Sequence, residues 1–275
     1  MKQLRAFAFS LALVLPALGA SAQSPAKVTM LMDALGIAEM MQIMRSEGLD
    51  YAQDLNIDML DGQGAGFWLG QVDRIYDTER MNETVRLGLE QSLNAAAVDA
   101  SLAFFQSKTG AEIIDLENAA RAAMSDDAIE EIARQTYLDM AEAGDSKRLT
   151  LITRFIDVND LLERNVTGAL TSNFQFYQGL NDGAAFDLSE EEMIAEVWQQ
   201  EEEIREDTIE WMFGYLIMAY QPLSDQDLEA YVLFSQTDAG QALNAGLFAG
   251  FDAMYVDISY ALGRAVAMEL AASEL

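Results

Sequence analysis

The segment FFQSKTG occupies residues 104–110, and FSQTDAG occupies residues 234–240, which is 130 positions further along the chain. Each segment closes an apolar, helix-like run, contains Ser or Thr, and ends in glycine. This pattern is typical of two helices joined by a short and crowded corner, because glycine has no side chain to clash there. The sequence therefore predicts a helical hairpin at both places, with Phe104, Phe105 and Phe234 before the corner and Gly110 and Gly240 at it.

The starts of these hairpins repeat at the same interval. Asn94 and Ser224 are 130 positions apart, and both residue types can accept a hydrogen bond from a free backbone N–H at a helix start. Leucine precedes each of them, and an apolar residue follows four positions later, which is the spacing of a hydrophobic staple. Capping boxes are predicted for the next helices from two further pairs: Thr109 with Glu112, and Asp238 with Gln241.

The interval of 130 also relates Trp68 to Trp198, which we interpret as matched core anchors. Self-similarity at one interval over most of a chain indicates a duplicated unit. The predicted fold is all-α, with two tandem repeats of a five- to six-helix unit packed as helical hairpins. The predicted segments are a signal peptide (residues 1–22), repeat 1 (23–145), a helical connector (146–157) and repeat 2 (158–275).

Residues that favour helices dominate the chain, and Pro222 is the only proline beyond Pro25. Residues 46–65 are predicted to be looser, because Asp61 and the glycines that follow it break the helical pattern. Apolar periodicity predicts several helices, among them Val28–Arg45, Phe67–Leu93, Ser189–Ala219, Asp238–Met254 and Val256–Ala272.

The first 22 residues have the features of an export signal. Lys2 and Arg5 precede an apolar run from Ala6 to Ala20, and residues 20–22 form an A-x-A cleavage site. Cleavage there would start the mature chain at Gln23. No later segment has the roughly 18 consecutive apolar residues of a membrane span, so we expect a periplasmic protein that is not an integral membrane protein.

Composition excludes several functions. The chain has 46 acidic and 16 basic residues, for a net charge of −30, which argues against binding to nucleic acid. Histidine and cysteine are absent. Catalytic triads and zinc sites built on those residues are therefore excluded, and no catalytic residue, cofactor or metal site is predicted.

Three weaker patterns remain. Asp54, Asn56 and Asp58 have the opening spacing of a calcium loop, but the required glycine and closing acid are missing. A second pattern is an acidic stripe on one helix, formed by Glu196, Glu203 and Glu210. The third is a group of methionines in the first helix, which we interpret as core residues and not as copper ligands. Its members are Met30, Met32, Met40, Met41 and Met44.

Residues 98–120, from Val98 through the Phe104–Phe105 pair and Gly110, resemble an uncharacterised exported bacterial domain. It is the domain-of-unknown-function family numbered twenty fifty-nine. Residues 228–250 resemble it more weakly, so the family domain would be present as two tandem copies. The resemblance implies an all-helical periplasmic protein of a Gram-negative bacterium, and it implies no catalytic residues because the family has no established activity.

We therefore expect a non-enzymatic scaffold or interaction module of the cell envelope, with an envelope protein as its partner. One alternative is a protein that binds a small apolar ligand or lipid in a pocket within or between the repeats. A further alternative is a carboxylate-based binder of divalent cations or a hydrolase, which would need acids of divergent pKa in one cleft.

Overall fold

The structure, a computed structural model, describes residues 24–64, 66–144 and 146–273, and all regular secondary structure in these ranges is α-helical. The predicted all-α class is confirmed. The predicted signal peptide lies outside the described residues. None of the described helices combines the length and the apolar character needed to cross a membrane.

The helices of the described residues are numbered here in chain order. The first seven are α1 Pro25–Ala34, α2 Ile37–Leu60, α3 Gly66–Ile75, α4 Thr78–Ser92, α5 Ala95–Phe105, α6 Lys108–Ala123 and α7 Asp127–Ala143. The next six are α8 Lys147–Asn159, α9 Leu161–Asp182, α10 Glu190–Trp198, α11 Glu201–Tyr220, α12 Asp225–Ser235 and α13 Asp238–Ser273.

Two predicted long helices are each broken in the structure. The helix predicted over Phe67–Leu93 stops at Ile75, because Asp77 has an extended backbone and its side chain accepts the amide of Arg80 at 2.9 Å as the cap of α4. The helix predicted over Ser189–Ala219 is interrupted at Gln199 and Gln200, between α10 and α11.

Elsewhere the structure is more helical than predicted. The helices predicted over Asp238–Met254 and Val256–Ala272 are one continuous helix, α13. The region predicted to be loose, residues 46–65, is mostly part of α2. The helix predicted over Val28–Arg45, in contrast, is broken: α1 ends at Ala34 and α2 begins at Ile37, with Gly36 between them at a φ of +61° that suits glycine. Asp160 has a similar left-handed conformation, with φ of +54°, between α8 and α9.

The predicted helix caps at Asn94 and Ser224 are confirmed. Asn94 accepts a hydrogen bond from the amide of Ala97 at 2.9 Å, and Ser224 accepts one from the amide of Asp227 at 3.1 Å. The four apolar residues predicted to form the two staples are all buried. They are Leu93, Val98, Leu223 and Leu228.

The two predicted capping boxes are wrong, because the caps lie earlier in the corner. The Ser107 hydroxyl accepts the amide of Gly110, and the Thr237 hydroxyl accepts the amide of Gly240, each at 3.1 Å. The Thr109 hydroxyl instead donates to Asp227 at 3.0 Å, which links α6 to α12.

The corner glycines have the crowded surroundings that the sequence predicts. A Cβ atom at Gly110 would lie 2.2 Å from the carbonyl oxygen of Phe104, and one at Gly240 would lie 2.2 Å from that of Phe234. The rings of Phe104 and Phe234 stack on each other, with centroids 4.4 Å apart, where α5 meets α12. The two hairpins therefore contact each other through the residues that precede their corners.

The described helices share two hydrophobic cores, and each core draws on both halves of the chain. The first combines residues of α1 to α5 with the later part of α13, including Ile258, Leu262 and Val266. The second combines α6 residues Ile113 and Ala120 with residues of α8, α11 and α12. The predicted boundaries of the two repeats stay a prediction, and the cores do not follow them.

The interpretation of the two tryptophans as matched anchors is correct for only one of them. Trp68 is 1% exposed and belongs to the first core, whereas Trp198 is 64% exposed at the end of α10. In α10 the buried residues are Met193 and Val197, so Trp198 lies beside the buried face and not on it.

The corner glycines provide a direct test of this packing. Gly110→Ala and Gly240→Ala should each lower the free energy of unfolding by about 1–3 kcal/mol, because the added methyl must displace backbone atoms. Urea denaturation followed by circular dichroism would measure the change.

Gly70→Ala in α3 is the matched control, since a Cβ atom there meets nothing within 4 Å. That change should raise the free energy of unfolding by about 0.5–1 kcal/mol through helix propensity. Equal effects at all three glycines would contradict the role assigned to the corners.

Candidate functional site

A carboxylate sits among tyrosine hydroxyls where α6 meets α11 and α12. The Tyr220 hydroxyl donates to Oε1 of Glu117 at 2.6 Å, and the Tyr215 hydroxyl donates to the Glu117 backbone carbonyl at 3.1 Å. Tyr231 of α12 provides another hydroxyl to the same carboxylate. The group is therefore held in one position by two neighbouring helices.

Burial raises the pKa of Glu117 from 4.5 to about 7, although the hydrogen bonds from Tyr220 and Tyr231 favour the charged form and oppose the shift. Burial also raises the pKa of both tyrosines well above 10, and the nearby Glu117 carboxylate adds to this effect. The tyrosines therefore stay protonated as donors, while Glu117 changes charge near neutral pH.

An ion pair lies one helical turn further along α6. The Arg121 guanidinium donates twice to the Glu47 carboxylate of α2, with both distances 2.7 Å. Its central carbon lies 4.8 Å from the ring centroid of Trp211 in α11. This fork geometry is the strong form of an arginine–carboxylate pair, and it joins α2, α6 and α11.

An open groove of about 610 Å³ lies on another side of α6, bounded by α1, the turn at Gly36, α2 and the end of α5. Its acidic residues are Asp33, Glu39 and Asp115, and its apolar residues are Met30, Phe105 and Ile114. Close beside it, the buried amide of Asn118 donates to the Gly36 carbonyl and to Glu39, both at 3.3 Å. All of these side chains belong to the first half of the chain.

A second and smaller groove, of about 300 Å³, lies between α3 and α13. Ile75, Ala261 and Met268 give it an apolar character, and Arg264 and Tyr260 also border it. It is distinct from the acidic groove and shares no lining residue with it.

The weaker sequence patterns do not form sites. Asp54, Asn56 and Asp58 lie within α2 and not in a loop, so the calcium-loop pattern is excluded by local structure. Asn56 instead accepts the amide of Gly64 at 2.7 Å and stabilises the turn after α2. Within the described residues, no group of three or more acidic side chains is placed to hold a metal ion.

The predicted acidic stripe is not continuous, because the break between α10 and α11 separates Glu196 from Glu203 and Glu210. Arginines neutralise part of the surrounding charge. Arg205 pairs with Glu163 and Glu201, and Arg134 pairs with Glu130 and Asp207.

The methionine group has a mainly structural role, as the sequence predicts. Met32, Met41 and Met44 are buried in the first core, and Met40 packs against it. Met30 is the exception, since it is 49% exposed and borders the acidic groove.

Local sequence patterns do not identify Glu117, Arg121 or the acidic residues of the groove, although they include Phe105 and Met30 for other reasons. A usable signal was present for Glu117, which lies four positions after Ile113 and three before Ala120, both buried in the second core. An acidic residue on an apolar helical face indicates a carboxylate that packs at least partly between helices. The groove had no such signal, because its walls come from segments far apart in the sequence.

Comparison with known proteins finds one family that part of this site resembles. Residues 79–137 match the profile of the family described as "Uncharacterized protein conserved in bacteria (DUF2059)". The match includes α5, α6, Glu117 and Arg121, and it confirms the resemblance predicted for residues 98–120. The predicted second copy at residues 228–250 stays a prediction. No curated protein and no solved structure matches the chain.

The pKa of Glu117 predicts a specific dependence of stability on pH. Between about pH 4.5 and pH 7 the folded state keeps a proton that the unfolded chain releases, so this group lowers the free energy of unfolding as pH rises through that window. Glu117→Gln keeps an acceptor for Tyr220 and removes the titration. Relative to that of the wild type, the free energy of unfolding of the variant should rise by at most about 3 kcal/mol as the pH increases across this window.

Urea denaturation at several pH values would measure this difference. Glu112→Gln is the control, because Glu112 is an exposed carboxylate on the same helix. A constant difference between Glu117→Gln and the wild type from pH 4.5 to pH 8 would contradict the prediction.

Proposed function

We propose that the protein is an exported, non-enzymatic scaffold or interaction module of the bacterial cell envelope, built from two related helical halves. The observation that carries the proposal is the open acidic groove beside α6, on a body whose cores each use both halves of the chain. Such a body holds the groove walls in fixed positions, as a binding module requires.

Several paired features support the relation between the halves. The caps at Asn94 and Ser224 match, as do those at Ser107 and Thr237. The packing is also reciprocal, because α13 of the second half packs on α4, while α7 of the first half packs on α11. A duplication followed by exchange of the last helical segment of each half explains both sets of observations.

A binding role is favoured over catalysis by the chemistry of the acidic groups. Glu117 has a pKa suited to proton transfer, but it is hydrogen-bonded by tyrosines and is not among the residues that line the acidic groove. With no histidine or cysteine in the chain, the groove offers carboxylates alone for nucleophilic or acid–base work.

Export is supported by the N-terminal sequence and can be tested directly. When the full-length chain is expressed in a Gram-negative host, its processed form should appear in the periplasmic fraction with Gln23 as the first residue. The reason is that signal peptidase recognises small residues before the cleavage site. N-terminal mass spectrometry would measure the cleavage site. The double change Ala20→Arg and Ala22→Arg should block cleavage. A wild-type chain that stays in the cytoplasm and keeps Met1 would contradict the proposal.

The interaction role predicts a discrete partner in the envelope. Chemical cross-linking in intact cells, followed by affinity purification of the tagged chain, should recover the same small set of proteins in replicate experiments. An unrelated exported protein of similar acidity is the control, since a net charge of −30 attracts cations without specificity. Identical recovery with both proteins would contradict a specific interaction.

The smaller groove between α3 and α13 supports a second candidate function, the binding of a small apolar ligand or lipid. Its lining by Ile75, Ala261 and Met268 is the observation that favours it. Native mass spectrometry of the same purified chain separates the two candidates. A bound lipid of defined mass with no protein partner would favour ligand binding.

A further inference from the structure

The acidic groove has a counterpart in the second half of the chain. The left-handed turn at Gly36 corresponds to that at Asp160, which aligns α1–α2 with α8–α9 at an offset of 124 positions. The corner caps Ser107 and Thr237 align α5–α6 with α12–α13 at an offset of 130 positions. These two landmarks identify the residues that occupy equivalent places in the two halves.

In the second half this place is filled by side-chain donors. The Gln241 amide donates to the carbonyl oxygens of Val158 at 3.0 Å and Ser235 at 2.7 Å, so it bridges α8 and α12. Next to it, the Asn244 amide donates to the carbonyl of Asn159 at 2.8 Å. Arg154 adds a hydrogen bond to the Gln236 side chain at 3.2 Å.

In the first half the equivalent residues cannot make these bonds. Ala111 stands where Gln241 does, Ile114 where Asn244 does, and Met30 where Arg154 does, so all three side-chain donors are missing. The carbonyls equivalent to those of Val158 and Ser235 belong to Ala34 and Phe105, which both border the groove. The groove therefore lies at the place in the first half that corresponds to the one occupied by the Gln241 side chain in the second half.

The charge of the groove selects the kind of donor that would fill it. Asp33, Glu39 and Asp115 border the groove, and none of its lining residues is basic. These carboxylates do not form a metal-binding group among the described residues. They are instead distributed around an opening that also has the apolar surface of Met30 and Ile114, which suits a cationic head on an aliphatic stem.

We propose that this groove binds an arginine side chain of a partner polypeptide. The guanidinium donates to the carbonyls of Ala34 and Phe105, as the Gln241 amide does in the other half, and pairs with the surrounding carboxylates. Arginine fits better than a simple amine because its five N–H donors form a planar fork that can bridge several acceptors. The inference rests on the proposed interaction role and specifies the chemistry of the partner.

The first test fills the groove with a side chain of the protein itself. Ala111→Gln should place an amide where Gln241 lies in the second half, and so raise the Tm by about 2–4 °C through new hydrogen bonds to Ala34 and Phe105. Ala119→Gln is the matched control, because Ala119 is exposed on the same helix and is not among the groove residues. An equal or lower Tm for Ala111→Gln relative to Ala119→Gln would overturn the structural equivalence of the two places.

The second test measures binding to the full mature chain labelled with ¹³C at its methionine methyl groups. The probe is an acetylated hexapeptide that alternates arginine and alanine, and the control peptide has citrulline in place of arginine. The arginine peptide should shift the Met30 signal most, while the citrulline peptide should leave it unchanged. Ala111→Gln should abolish the shift, and Ala119→Gln should retain it.

Charge-matched variants separate the site from general attraction to an acidic surface. The pair Asp33→Asn and Asp115→Asn should weaken binding of the arginine peptide at least about tenfold, through loss of charge-assisted hydrogen bonds. The pair Glu112→Gln and Asp127→Asn changes the net charge equally at exposed positions outside the groove and should change affinity by less than about twofold.

Equal weakening by both pairs, or shifts spread over all exposed methionines, would overturn the proposal. Binding of spermidine at Met30 without binding of the arginine peptide would also overturn it, in favour of a small polyamine. These results are independent of the cross-linking experiment on cells. A specific envelope partner that remains bound to Ala111→Gln would refute the groove as its site and leave the interaction role intact.

Discussion

Helix α13 can lie between α4 and α9 because glycine stands where the backbones approach most closely. A Cβ atom at Gly88 of α4 would lie 2.4 Å from the amide nitrogen of Gly250 in α13. On the other side, a Cβ atom at Gly179 of α9 would lie 2.3 Å from the carbonyl oxygen of Tyr260. A larger residue at either crossing would push the helices apart, since backbone atoms cannot yield as a flexible side chain can.

This constraint explains why the cores mix the two halves of the chain. With α13 fixed between α4 and α9, its residues Ile258 and Val266 complete the core that α1 to α5 begin. Helix α6 then lies between the cores, with Ile113 in one and Ile114 in the other. Its next turn repeats the division, because Glu117 is bonded by tyrosines of α11 while Asn118 supports the turn at Gly36. One helix therefore carries both the half-buried Glu117 carboxylate and a wall of the groove.

The sequence predicts several parts of this fold that depend on a few neighbouring residues, although it misplaces the caps at Ser107 and Thr237. The caps at Asn94 and Ser224 and the crowded corners at Gly110 and Gly240 are such parts, because a cap or a glycine corner is determined within one helical turn. The continuity of α13 and its position between α4 and α9 depend instead on contacts between distant segments, which local periodicity does not contain. The groove belongs to this second class, since α1, α5 and α6 form it together.

The interval of 130 residues pairs the two hairpins, but it does not pair the left-handed turns that precede them. It pairs Trp68 with Trp198, one buried and one exposed, whereas the left-handed turns at Gly36 and Asp160 are only 124 positions apart.

The six-residue difference between the two intervals changes which residues are compared near the groove. At the constant interval Ala34 pairs with Arg164, but the turns align it with Val158, whose carbonyl accepts the Gln241 amide. Both local offsets are needed to compare the surroundings of Ala111 at the groove with those of Gln241, which bonds the Val158 and Ser235 carbonyls. The two hairpins therefore have matching caps and corner glycines, and the arginine-binding role proposed for the groove rests on the difference between Ala111 and Gln241.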